Sequence, residues 1–484
     1  MLVAKKFFFI IVIFISLFSL KIFSNNFLLA ENGDTYDFFR VAYEYKQGNY
    51  LVESKRMPLF PFLLSFANHE DFVFWGRVLN NLFYFGVVLL VFKIFNNYLY
   101  TLVFALFYPV FDNSFFIMAD SLFLFLVLLF IYLNLQNKNL YLVLFVSTLA
   151  FYTRFEGILL FGAVLLSQIL NRRIKELPIT ILYSLLAVFP YFAKNYYLYQ
   201  NILKVGYLED SSGFILNAKN ILKAFGTFLF VSGGFYLFPI IASNYQRIKN
   251  LRIKTNFILF AGISLLLIFW GFYIRLYTVP LFFMFLALIY VLEHYKKPKN
   301  IFILFSLISF IFYLYQVQIL DHLDLGENKF SKSLVILLSF VILYFYYFYE
   351  KYSFSKQVIL TSIIFLNLSL FSSKFLETRE KYFTLVQASE FALQNKLKVG
   401  YADESGVSKW YLKDFNQKLN FLNTRETFDK WVASNQIEYF IYTEELGFQD
   451  KKIKDKISEI KNYEKLIEFK SNFSGGKTAI FKIR

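Results

Sequence analysis

The chain has 484 residues, 57% hydrophobic and 22% aromatic, with only 17% charged and a formal net charge of +16. A mean hydropathy of +0.49 means more apolar surface than a soluble domain can bury, so the composition points to a polytopic membrane protein. Cysteine is absent, which excludes disulfides, thiolate metal sites and a cysteine nucleophile; three scattered histidines (His69, His294, His322) are poor material for a histidine metal centre.

The N-terminus, MLVAKK followed by an apolar run from Phe7 to Ala30, reads as a retained first span: it is long for a signal peptide and lacks a small-x-small cleavage site. A polar island at 31–73 follows. Further apolar segments recur near 74–95, 98–111, 119–135, 140–153, 157–170, 178–193, 221–242, 255–273, 276–292, 301–319, 333–349 and 357–373. Together they predict about 13 spans. A crossing needs about 20 residues, so 98–111, 140–153 and 157–170 are short: either some of these boundaries are wrong or some helices are partly re-entrant.

With Lys5 and Lys6 inside, the alternating inner loops hold Lys93, Lys138, Arg172-Arg173, Arg247 to Lys254, the basic run after His294, and Lys351 with Lys356. These loops are short and basic, as the positive-inside rule requires. The cationic excess is therefore an orientation signal, and no nucleic-acid partner is expected. Before residue 374 the acidic residues fall at the outer face, except Glu176, Glu293 and Glu350. Acidic residues hardly steer topology, so this bias suggests chemistry outside.

From about 375 the composition becomes that of a soluble domain. LKVGYA, QIEYFIYT, EKLIEFK and KTAIFKI read as strands, and ETFDKWVAS and DKKIKDKISEIKN as helices, the first behind Thr424 as N-cap. The expected organisation is a membrane domain at 1–374 and a small extracytoplasmic α/β domain at 375–484.

The polar island carries Asp34 and Asp37, then Arg56 and the Pro58–Pro61 bend. If the stretch after Asp34 is helical, the two carboxylates lie one turn apart and share a face. Group transfer from a lipid phosphate needs a base for the acceptor hydroxyl and cations for the departing phosphate. An acidic loop is also consistent with simple solvation, and the residues alone leave both readings open.

GDTYDFFRVAYEYKQGNY followed by RMPLFPFLLSF resembles the opening of the GT-C superfamily of polyprenyl-phosphate-sugar-dependent membrane glycosyltransferases, which includes the bacterial aminoarabinose transferases and the protein mannosyltransferases. The matching positions are Asp34, Phe38, Ala42, Gly48 and Pro58-Leu-Phe-Pro61. Thr35 stands where an acidic dyad partner is found in protein mannosyltransferases. MADSLFLFLVLLFIYL resembles the acidic start of a later span and picks out Asp120, for which a helix N-cap is the alternative. YTRFEGILLF looks like the family's Thr-Arg-Pro-Glu-Gly segment with Phe155 in place of Pro, and brings in Arg154 and Glu156; a local ion pair is the alternative. RLYTVPLFFMF resembles the entrance to a late span and picks out Arg275, which could equally be an interfacial anchor. The segment Lys409 to Asp414 (KWYLKD) is not the WWDYG motif of oligosaccharyltransferases.

The resemblance implies a GT-C-like fold and an inverting transfer of one sugar from a polyprenyl-phosphate donor to a glycan, lipid or protein acceptor, outside the cytoplasmic membrane and among its lipids. It implies Asp34 as the base. Arg275, Arg154 and Arg56 would bind the phosphate, with Asp120, Glu156 and Asp37 as further substrate-binding candidates. No cofactor is indicated, although a divalent cation at Asp120 stays open. The competing classes are a lipid-linked glycan transporter or flippase, which would need ionisable residues inside the spans, and a surface polysaccharide polymerase or ligase.

Overall fold

The computed structural model describes residues 15, 33–52, 56–136, 138–202, 235–244, 278–294, 301–321, 329–348, 354–379, 382–403, 406–414, 418–421, 424, 427–443, 463–470 and 477–483. The predicted spans at 7–29 and 255–273, the predicted helix at 450–462 and Arg275 lie outside the described residues. In chain order the helices are α1 (Gly33–Lys46), α2 (Leu59–Leu64), α3 (Phe72–Phe95), α4 (Tyr98–Ala105), α5 (Tyr108–Asn113), α6 (Asp120–Leu135), α7 (Leu140–Thr153), α8 (Ile158–Leu170), α9 (Leu177–Tyr199), α10 (Leu237–Ser243), α11 (Thr278–His294), α12 (Ile301–Asp321), α13 (Lys329–Tyr347), α14 (Ser355–Arg379), α15 (Phe383–Gln394), α16 (Val407–Tyr411) and α17 (Phe428–Asn435). Strands β1 (Val399–Tyr401), β2 (Tyr439–Thr443), β3 (Tyr463–Lys470) and β4 (Lys477–Ile483) complete the described elements.

The first polar island is helical because its ends suit a helix. Asp34 occupies the first turn of α1 and Lys46 the last, each complementing the helix dipole. Gly48, at φ 82°, stops it: the left-handed turn lets Asn49 N–H reach back to the Glu44 carbonyl at 3.0 Å. The chain then returns through α2, where Pro58 and Pro61 sit before and within the first turn, the place where a missing N–H costs least. Phe38 meets Phe60 edge-on at 5.2 Å and Phe39 meets Phe72 at 5.8 Å, so α1 and α2 cover one end of α3.

Two helices among the described residues are long and apolar enough to cross a membrane: His69–Phe95, which includes α3, and Ile174–Tyr199, which includes α9. Helices α6, α7 and α8 are apolar but have 16, 14 and 13 residues, about 20–24 Å at 1.5 Å per residue. The count of about 13 spans is thus not reached by full-length helices among the described residues.

The segment 98–111, expected as one span, is instead broken between α4 and α5. Pro109 falls in the first turn of α5; its ring would collide with the Ala105 carbonyl in a continuous helix, and it has no N–H to give. The released groups find other partners: Tyr84 Oη donates to the Ala105 carbonyl at 2.9 Å, and Tyr108 N–H donates to Asn367 Oδ1 at 2.9 Å. Satisfying freed backbone from neighbouring helices is the condition for irregular structure at membrane depth.

The opposite end of α3 is closed by a second polar group. Tyr100 Oη and Lys356 Nζ both donate to Glu293, and the ammonium lies 5.1 Å from the Tyr100 ring centre. The described bundle thus has one polar pole around α1 and another around Glu293.

At the C-terminus the four strands form one sheet in the order β1-β2-β4-β3, with β1 parallel to β2 and the other pairs antiparallel. The four segments that read as strands are strands. Phe421, Phe428, Trp431 and Phe440 interlock beneath the sheet, with ring centres 5.2–6.1 Å apart. The expected N-cap Thr424 is not at the helix start: α17 begins at Phe428 behind Thr427, which is extended at ψ 154°. Burying Phe428 and Trp431 together fixes that start.

Asn80, 2% exposed, holds the turn that leads into α6: its amide donates to the Ser114 carbonyl at 2.5 Å and the Phe116 carbonyl at 2.8 Å. Asn80→Ala should cost about 2 kcal/mol by leaving those carbonyls without that donor, measured as a lower melting midpoint in detergent. An unchanged midpoint would show that the turn does not depend on it.

Candidate active site

Asp34 and Asp37 lie one helical turn apart on α1, and Arg56, from the segment before α2, reaches both. Arg56 Nη2 donates to Asp34 Oδ1 at 2.7 Å and Nε donates to Asp37 Oδ2 at 3.0 Å. Arg40, one turn further on, donates to the other oxygen of Asp37 from Nη2 at 3.0 Å and Nε at 3.2 Å. The Arg56 side chain is 10% exposed and lies 5.2 Å from the Phe38 ring centre, while Asp34 keeps 30% of its side chain accessible.

A second cluster forms from three residues distant from α1 in sequence. Asp120 is the first residue of α6, but Ala119 occupies the N-cap position and no side-chain cap bond is made. The Asp120 carboxylate, 5% exposed, accepts instead from Arg154 Nη1 at 2.5 Å. Arg154 leaves α7 in extended conformation, φ −149° and ψ 140°, which lets Arg154 and Glu156 turn the same way. Arg154 then grips Glu156 from Nη2 at 2.9 Å and Nε at 3.4 Å. Gly157 makes this turn possible: a Cβ there would lie 2.3 Å from the Ala150 carbonyl carbon and Phe151 nitrogen. Phe155, where the family has proline, packs on Phe151 at 6.0 Å.

The two clusters meet. Thr35, buried beside Asp34, donates to the Ile117 carbonyl at 3.0 Å and so binds α1 to the chain three residues ahead of Asp120. Between them lies a cavity enclosing about 340 Å³ including its mouth, with Arg56, Asp120, Arg154 and Glu156 on its polar walls and Phe38, Met57 and Met118 on its apolar ones. Asp34 and Asp37 reach it through Arg56. Among the described residues no three His, Asp or Glu side chains converge as a metal-ligand set.

The C-terminal region also reaches this pole. Trp410 on α16 packs against His69 at 4.6 Å, Phe39 at 5.1 Å and Phe72 at 6.0 Å, and Tyr411 lies 6.1 Å from Tyr36. Lys409, beside Trp410, is held below the usual lysine range by burial first and then by Arg40, against the opposing pull of Asp37 and Asp414. Arg40 and Lys409 are residues that sequence reasoning did not select. Arg40 was visible as an i+3 partner of Asp37, whereas nothing local marked Lys409. Asp34, Asp37, Arg56, Asp120, Arg154 and Glu156 come together at one pole; Arg275 is outside the described residues.

No protein-family model matches this sequence, and no curated protein matches it. Among solved structures the chain is similar to ArnT from Cupriavidus metallidurans bound to undecaprenyl phosphate, with a TM-score of 0.58 at 9% identity, covering 97% of each chain. The fold is GT-C. The aligned length takes in the helical part and the C-terminal sheet together.

Arg154→Met should strand the buried Asp120 carboxylate and cost about 3 kcal/mol or more. Adding Asp120→Asn should recover more than half of that loss, read as melting midpoints in detergent. A double variant no more stable than the single one would show that the pair is not coupled.

Proposed function

We propose that this chain is an inverting glycosyltransferase that moves one sugar from a polyprenyl-phosphate donor to a hydroxyl of a glycan, lipid or protein acceptor. The reading rests chiefly on one observation: Arg56, held by the α1 carboxylates, faces the same cavity as the Asp120–Arg154–Glu156 cluster. Its lining, two arginines and two carboxylates beside Phe38, Met57 and Met118, suits a sugar-phosphate head group in chemistry, leaving the polyprenyl chain to the bilayer. The GT-C fold, and the undecaprenyl phosphate bound to ArnT in the similar structure, support a donor of this class.

In this mechanism Asp34 takes the acceptor proton as the hydroxyl attacks the anomeric carbon. The bond from that carbon to the phosphate oxygen breaks, and the configuration inverts. Arg56 and Arg154, already on the cavity wall, stabilise the charge on the departing phosphate, with Arg275 as a further cation. Asp37 is committed to Arg40 and Arg56 and positions Arg56. Asp120 and Glu156 hold Arg154 and are placed to orient sugar or acceptor hydroxyls.

In this reading the α1 pole and the C-terminal region lie outside the cytoplasmic membrane and the Glu293 pole inside, a sidedness that the short basic loops of the sequence support. In this arrangement 1–374 is the multi-pass catalytic part and 375–484 the extracytoplasmic part.

Asp34→Asn should lower transfer by at least about a hundredfold, the scale of a lost general base, with expression and membrane insertion as in the wild type. Transfer at the wild-type rate in this variant would remove Asp34 from the mechanism.

A further inference from the structure

The end of α8 away from the cavity presents a different kind of surface. Helix α8 leaves the cavity wall at Ile158 and stops at Leu170 after 13 residues, about 20 Å. The chain then turns into Ile174–Tyr199, which is long and apolar enough to cross a membrane. The turn carries Arg172, Arg173 and Lys175, all exposed. Among the described residues none of these three side chains makes a hydrogen bond or an ion pair. Lys138, just before α7, is exposed at the same end of the α7–α8 pair.

The backbone of the turn is tied at three points. Arg172 N–H donates to the Ile169 carbonyl at 3.1 Å, Arg173 N–H to the Gln168 carbonyl at 2.8 Å, and Glu176 N–H to the Arg173 carbonyl at 3.1 Å. Gln168, 4% exposed, braces it from within: Nε2 donates to Thr180 Oγ1 at 2.8 Å and to Glu176 Oε2 at 3.4 Å. Glu176 is the carboxylate of this turn, and it is engaged by Gln168 rather than by the neighbouring cations. The cations are therefore presented outward from a fixed backbone.

Apolar side chains stand among these charges. Ile174, between Arg173 and Lys175, is 65% exposed, and Ile169 and Ile179 on either side are 53% and 39% exposed. In water such exposure is unfavourable, whereas at the boundary between headgroups and acyl chains an apolar and a cationic side chain are both satisfied. The length of α8 gives the same depth. About 20 Å falls short of a hydrocarbon layer of about 30 Å, so its end is drawn toward headgroup level instead of standing clear in water. Cations at that depth lie among phosphates, and a guanidinium grips a phosphate through two parallel N–H donors.

We propose that the α8–α9 turn is a binding site for the headgroups of anionic phospholipids in the surrounding bilayer. Arg172 and Arg173 take the phosphate, Lys175 and Lys138 add charge, and Ile174 sits against the first carbons of the acyl chains. The site is independent of the proposed function, since none of its residues lines the cavity.

Native mass spectrometry of the full-length protein in detergent, titrated with phosphatidylglycerol or with phosphatidylcholine, reads the affinity for the first bound lipid. The wild type should bind phosphatidylglycerol at least about tenfold more tightly than phosphatidylcholine. Arg172→Gln combined with Arg173→Gln should weaken phosphatidylglycerol binding about thirtyfold, the scale of two cations at a charged membrane surface, and leave phosphatidylcholine binding unchanged. Both side chains are exposed, so the melting midpoint without added lipid should match the wild type. Lys175→Gln, with an expected loss of about fivefold, serves the same reading if the double variant does not fold. Equal affinity of the wild type for the two lipids, or phosphatidylglycerol binding that these substitutions leave unchanged, overturns the site.

Discussion

A guanidinium withdrawn from water must be surrounded by acceptors, and Arg56 meets that demand with two carboxylates one turn apart on α1. Much of the polar pole follows from this constraint. The fork ties the segment before α2 to α1, and Thr35 ties α1 to the approach to α6. Arg154 repeats the arrangement with Asp120 and Glu156. The repeat is what makes the pole a site: each arginine is presented to the cavity already oriented, so little reorganisation is needed when a charged group arrives.

Legibility in the sequence followed the range of the interaction. Asp34 and Asp37 could be placed on one helical face because i,i+3 spacing is local, and Gly48 and the two prolines of α2 marked the ends of that region. The C-terminal strands were legible too, since short runs rich in β-branched and aromatic residues are a local signal. The pairing of Asp120 with Arg154 spans 34 residues, and only the helix packing decides it; of the local alternatives, the capping aspartate is not realised and the Arg154–Glu156 pair is half of the answer. The break in 98–111 was carried by Pro109, whose effect was hidden by the apolar run around it. Lys409 was illegible because its environment is made by α1, more than 360 residues earlier.

The distribution of charge connects fold to chemistry. One polar pole binds α4, α11 and α14 together through Glu293. The other encloses space, places arginines on its wall and lies under the C-terminal region. Arginines held in place on the wall of an enclosed space are suited to a reaction that stabilises a departing phosphate, the chemistry proposed for the α1 end.

The most direct test is whether purified wild-type protein in detergent releases undecaprenyl phosphate from sugar-linked undecaprenyl phosphate when acceptor is supplied. The account predicts release with no sealed membrane present, because bond cleavage needs only the site. Absence of release across a panel of donors, with the same preparation moving the intact sugar-lipid across sealed vesicles, would contradict it and make the protein a transporter.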